Sequence, residues 1–241
     1  MNVVLVYLRL YGNAAVTALK AIGKNPWTLL LPMGLAIAAQ FAGTLVAPLG
    51  IIGGYLLMFA LIAGTSAYLY FTGEVVARST TSVKELRKGF GAFFWSVMGL
   101  QFVLWIANWG ISMALEGTSK KAALTIAITL IEAVALNAAP ETIYIKGTRG
   151  GIDTITASFN FLQENWIEWF IPNGLLLAGV YGLVVVVLPA LSGSSFWIAA
   201  VLLALGAGAL FHVVMVFRGV LYLALDGTSH RQRMYKYRTG Q

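Results

Sequence analysis

The chain has 241 residues, is 59% hydrophobic and 10% charged, and carries a formal net charge of +7. Its mean hydropathy is +0.81. A soluble domain has about 25% charged residues, so that class is excluded; in a polytopic membrane protein the lipid-facing positions must be apolar too. Cysteine is absent, which excludes disulfides, thiolate metal sites and a cysteine nucleophile.

Residues 2–24 are expected to form an amphipathic helix lying in the membrane interface. Asn2, Arg9, Asn13, Thr17, Lys20 and Lys24 share one face; Val3, Leu5, Val6, Leu10, Val16, Leu19 and Ile22 lie mostly opposite. The apolar part precedes Arg9 and no small-residue cleavage site follows, so this is not a signal peptide pattern. Asn25-Pro26-Trp27 then turns the chain into a first membrane span at about 27–47. Gly34, Ala38 and Ala42 recur every fourth residue there, a face for close helix packing. Pro48 and Gly50 mark a hairpin, and a second span follows at 51–71, with Ala60 and Gly64 repeating the small spacing.

A basic polar interval, Gly73 to Gly91, comes next, in which Ser82 and Glu85 have the spacing of a capping box. The third span, about 92–115, holds Trp95, Trp105 and Trp109 with Gln101 and Asn108. After a short polar loop, the fourth span, 122–139, contains Glu132 near its middle. Glu141 to Glu168 is the second long polar interval, read as another interfacial helix. Ile152, Ile155, Phe159, Leu162 and Trp166 form its apolar face; Asp153, Thr156, Asn160, Glu164 and Glu168 form its polar face, the two glutamates being read as solvated. The fifth span covers 169–188, residues 189–195 form an uncharged hairpin, and the sixth span, 196–225, holds His212 and Arg218. A basic tail, 226–241, closes the chain.

Placing the N-terminus in the cytoplasm puts Arg9, Lys20, Lys24, Arg78, Lys84, Arg87, Lys88, Lys146, Arg149, Arg218, Arg231, Arg233, Lys236 and Arg238 on one side. The other side receives only Lys120 and Lys121. By the positive-inside rule both termini are cytoplasmic, as in a prokaryotic cytoplasmic membrane. The basic face then meets anionic lipid headgroups rather than nucleic acid. The expected architecture is an all-α integral membrane protein in one domain: six transmembrane helices with two to three cytoplasmic interfacial helices.

Three stretches look related: VTALKAIGKNPWTLLLPMG from Val16, VKELRKGFGAFFWSVMG from Val83 and ITASFNFLQENWIEWFIPNG from Ile155. Each is an amphipathic helix, then Trp or Phe, then an apolar run, which suggests a threefold repeat of interfacial helix and two-span hairpin. Mitochondrial carriers share that plan, but their Pro-x-Asp/Glu-x-x-Lys/Arg signature is missing: Glu141 and Thr142 follow Pro140. LKAIGKNPWTLLLP and the later Asn-Trp entry resemble bacterial and archaeal six-span families. Examples are the membrane domain attached to some glycerophosphodiester phosphodiesterases and the Yip-type proteins. That resemblance covers most of the chain as a pattern; it implies a helical membrane bundle and carries over no functional residues.

The intramembrane polar candidates are Glu132, His212, Gln101 and Arg218. A mid-membrane carboxylate is costly and must be partnered, protonated or functional, so Glu132 is expected inside the bundle with His212 or Gln101 beside it. Arg218 is expected to snorkel to the cytoplasmic surface. No catalytic, cofactor or metal motif is present. The reading that follows is a non-catalytic accessory or structural subunit packing against itself or other membrane chains. The rival is a small-solute, ion or lipid transporter with a midplane site at Glu132.

Overall fold

A computed structural model describes residues 3–77, 80–190, 196–228, 232 and 235. Among them every regular element is helical. Helix α1 is Val3–Lys24. A 3₁₀ turn, Pro26–Leu30, leads into α2, Leu31–Val46, and α3, Gly50–Val76. A short α4, Leu86–Ala92, precedes α5, Phe94–Ala114, and α6, Lys121–Ala135. A single turn, α7 at Ala139–Glu141, runs into a π-turn at Thr142–Lys146. The long α8, Gly151–Ala190, and α9, Phe196–Leu225, complete the chain. The hairpin expected at 189–195 and the basic tail fall largely outside the described residues.

Three stretches are long and apolar enough to cross a bilayer: Pro26–Val76, Phe94–Ala114 and Val201–Leu225. Lys121–Ala135 and Ala139–Lys146, bent by 41°, make a fourth if taken together. These apolar helices are compatible with a multi-pass membrane protein. Pro26–Val76 is folded back on itself. Gly50, with φ 57°, adopts a conformation that glycine tolerates best, and the helices on either side run antiparallel. Gly43 faces Leu57, and Gly64 faces Leu35. The small residues expected to pack tightly do something else. Ala38, Ala42, Ala60 and Gly64 border an apolar groove of about 710 Å³ between α2 and α3, and Gly34 faces open space.

The chain breaks its helices in the same way three times. Asn25 has φ/ψ of −133°/54°, Phe93 −123°/13° and Asn165 −131°/20°. At the first two breaks the N–H that would serve the carbonyl four residues earlier bonds elsewhere, and at all three a side chain donates to that carbonyl. Asn25 Nδ2 donates to the Ala21 carbonyl (3.4 Å) and Asn165 Nδ2 to the Phe161 carbonyl (3.0 Å). At Phe93 the service comes from α3: the Ser66 hydroxyl donates to the Gly89 carbonyl and accepts from the Phe93 N–H, both at 2.8 Å.

The stretches before the first and third breaks bury matching positions. Ala14, Ala18, Ala21, Ile22 and Asn25 are buried on α1; Thr154, Ser158, Phe161, Leu162 and Asn165 are buried on α8. These faces are mostly small or polar. Many of the large apolar residues point outward: Leu19 is 59% exposed and Ile152 is 69% exposed, with Val16, Phe159 and Trp166 similarly placed. The apolar face read from the sequence therefore divides, because hydrocarbon as well as the core rewards apolar side chains.

The core forms two adjoining clusters. One joins α1, α3, the π-turn and α9 through Ile22, Ile62, Val75, Tyr144 and Val216. The other joins α1, α8 and α9 through Leu10, Phe161, Trp169, Tyr222 and Leu225. Glycine permits the closest approaches. A Cβ on Gly219 would collide with Tyr144 and Val76, and one on Gly151 would strike the Gly99 backbone. By contrast α6 has no buried residue, and α5 buries only Ser96 and Val97 at its start.

Candidate functional site: a buried polar node and an open hairpin

The polar groups inside the bundle gather where α7, α8 and α9 meet. Glu141 is fully buried at the end of α7. Arg218 reaches it from α9, two turns before the Asp226 end. The guanidinium binds it through two hydrogen bonds, Nε to Oε1 at 2.8 Å and Nη2 to Oε2 at 3.0 Å. The same Nη2 donates to the Asn137 carbonyl. Trp169 on α8 donates from Nε1 to Asn137 Oδ1 at 2.8 Å, and its ring lies 5.0 Å from the Arg218 Cζ. Two parallel bonds match the planar guanidinium to the carboxylate, and the indole face stabilises the cation. The node is a clasp with its oxygens and donors already committed to one another.

Arg218 therefore does not snorkel; Glu141, held fully buried in the adjoining turn, gives the charge a stronger partner than water at the interface. The sequence-level reading missed Glu141 because it opens a polar interval and reads as solvated. Its place right after Pro140, at the end of an apolar span, was the available signal. The ion pair at the polar end is Lys146 with Asp226, at 2.9 Å, with Lys146 also over the Tyr222 ring.

His212 is also fully buried, on α9, with Nδ1 3.4 Å from the Tyr68 hydroxyl and Nε2 without a hydrogen-bond partner among the described residues. It does not meet Glu132. Nor does Gln101, which is exposed on α5. The carboxylate of Glu132 instead accepts one hydrogen bond, from Asn108 Nδ2 at 3.2 Å. Asn108 uses its amide on the Leu104 carbonyl as well, at 3.0 Å. This is the one hydrogen bond between α5 and α6 among the described residues. Glu132 is thus partly exposed on α6, a helix that buries none of its residues, rather than inside the bundle.

Two further expectations change. Ser82 caps its turn through the Lys84 N–H, while Glu85 accepts from the Tyr70 hydroxyl rather than closing a capping box. Glu168 is buried, unlike a solvated-face residue; the break at Asn165 turns it inward, beside Tyr11. Burial, with the Glu168 charge and Tyr7 adding to it, pushes the Tyr11 phenol up to about 12.

The loops that follow the first two hairpins close over the preceding breaks. The Thr81 N–H donates to Asn25 Oδ1 at 2.8 Å, and Trp27 Nε1 donates to the Thr81 carbonyl at 3.2 Å. Ser96 donates to the Thr148 carbonyl at 2.6 Å. At the third break, Asn165 Oδ1 is buried and has no partner among the described residues.

Among the described residues, fold and site together define a helical chain with three to four helices apolar enough to cross a membrane and a buried Arg218–Glu141 ion pair. No family model, no curated protein and no solved structure matches it.

Proposed function

We propose that this is a six-span protein of a prokaryotic cytoplasmic membrane, with both termini in the cytoplasm, acting as a non-catalytic structural or accessory subunit of a membrane assembly. One observation carries the reading. The α5–α6 hairpin exposes Trp105, Trp109, Ile131 and Val134 together with the polar side chains of Gln101, Asn108 and the partly exposed Glu132, whereas α2, which likewise buries no residue, exposes mostly apolar ones. A hairpin with so little internal burial offers its surface to other membrane chains. Large aromatic residues at protein contacts supply much of the binding, and polar side chains act as glue between helices in lipid.

Six spans are supported by the fold-back at Gly50 and by the 40-residue length of α8, whose second half is the expected fifth span. The repeat is supported by the three alike helix breaks and by the matched burial on α1 and α8. The lysine and arginine distribution supports the orientation.

Two measurements test this. The chain has no cysteine, so single cysteines at Ser82 and Ser119 can be labelled with a membrane-impermeant maleimide. Ser119→Cys should react in intact cells and Ser82→Cys only after permeabilisation; labelling on the same face ends the six-span reading. Native mass spectrometry after mild extraction should show the chain bound to a different membrane protein. A lone monomer in every extraction condition would remove the accessory-subunit reading.

A further inference from the structure

Glu132 lies eleven residues after Lys121 and fourteen before Lys146. The eleven residues from Lys121 lie on α6 and span about 17 Å at 1.5 Å per residue, in a hydrocarbon layer about 30 Å thick; the fourteen before Lys146 cross the 41° bend that follows Ala135. The carboxylate therefore sits near the bilayer centre, where a charge needs a partner. Among the described residues it has none that is cationic. Arg218 is committed to Glu141, and Lys121 lies a half-bilayer away. Asn108, its one donor, divides its amide between Leu104 and Glu132. Around the pair the hairpin is apolar and open, with Trp105 61% exposed and Ile131 66% exposed.

The geometry points to the outer face of the α5–α6 hairpin as the seat of a transmembrane helix from a different membrane protein, carrying a lysine or arginine at the depth of Glu132. This rests on the accessory-subunit reading and names the chemistry of the partner. Charge complementarity selects the occupant. A second copy related by a twofold axis along the membrane normal brings Glu132 to the same depth as its counterpart, carboxylate against carboxylate, and like charges repel. Lipid tails supply no donor. A basic side chain on a neighbouring helix neutralises the charge and takes the carboxylate oxygen that Asn108 leaves, while the indoles of Trp105 and Trp109 pack against that helix.

The test uses the full-length chain in the membrane of its own host, with a benzophenone amino acid replacing Trp105 and, separately, Phe41 on α2. After illumination, the adduct at 105 should contain a transmembrane peptide of another protein with a lysine or arginine. Glu132→Lys should reduce its yield by about thirtyfold or more, the scale of leaving one member of a buried charge pair unpartnered. Reversing the partner's basic residue to glutamate should restore it. Should Glu132→Lys fail to accumulate, Glu132→Gln is read in its place, with a loss in the same direction. Adducts with a second copy, with lipid alone, with a foreign segment lacking a basic residue, or unaffected by either substitution overturn the inference. Foreign adducts at position 41 and none at 105 overturn it while leaving the accessory-subunit reading intact; none at either position removes both.

Discussion

The two ends of the polar inventory are handled in opposite ways. At the α7–α9 node a carboxylate and a guanidinium are buried against each other, with an indole and an asparagine completing their contacts. On the α5–α6 hairpin a carboxylate of the same chemistry has one amide for company and lies toward the outside. Placing a charge in hydrocarbon is costly in both cases. The node offsets that cost within the chain; on the hairpin the described residues supply one amide and no cation. A polar group in a membrane helix is thus informative only together with its partner.

The largest effect should come from breaking the node. Arg218→Ala leaves Glu141 buried and unpaired, at a cost of about 3–5 kcal/mol. Thermal unfolding in detergent should show it, and Arg218→Met with Glu141→Leu should recover most of the loss. Little change on Arg218→Ala would make the node no more a clasp than the hairpin is. Gly219→Ala should follow, at about 1–3 kcal/mol from overpacking against Tyr144 and Val76, read from the same melts.

The two asparagine breaks sharpen the contrast between a closed and an open region. Asn25→Ala removes contacts to Ala21 and Thr81, whereas Asn165→Ala removes its bond to Phe161 and an oxygen with no partner among the described residues. Asn25→Ala should cost about 2 kcal/mol and Asn165→Ala about 1 or less; equal losses would erase the distinction. A smaller pH effect belongs to Tyr11. Its folded-state pKa is raised from 10 to about 12, so its contribution is fully present below pH 10 and is lost as pH rises toward 12. Tyr11→Phe should flatten that part of a stability profile. The smallest effect is Glu132→Gln on the isolated chain, within about 0.5 kcal/mol, as for positions outside a packed core. A large loss there would place Glu132 with the node after all.

Composition and apolar runs made the helical membrane class and most helix boundaries legible. α1 and the turn at Asn25, the hairpin at Gly50, and the start of α5 all fall close to where glycine, proline and tryptophan put them. What was hidden is which face turns inward. In water a stripe of Leu and Ile marks the core; beside lipid the same stripe on α1 and α8 also marks the outside. Partner choice was hidden for a related reason. His212, Arg218 and Glu132 are visible as costly residues, but whether Arg218 meets Glu132 or Glu141 depends on how the helices pack, and no local pattern encodes that. Glu141 opens a polar interval and Glu168 falls on the polar face of a helix read without a break; the turn before Ala139 and the break at Asn165 carry both into the core.

The inward placement of alanine, serine and glycine on α1, α8 and α9 has an evolutionary corollary. Tolerance to substitution should run opposite to that of a water-soluble fold. Leu19, Ile152 and Trp166 can be exchanged among greasy side chains with little penalty, whereas Ala18, Ser158 and Gly219, the least conspicuous letters in the chain, leave selection almost no room.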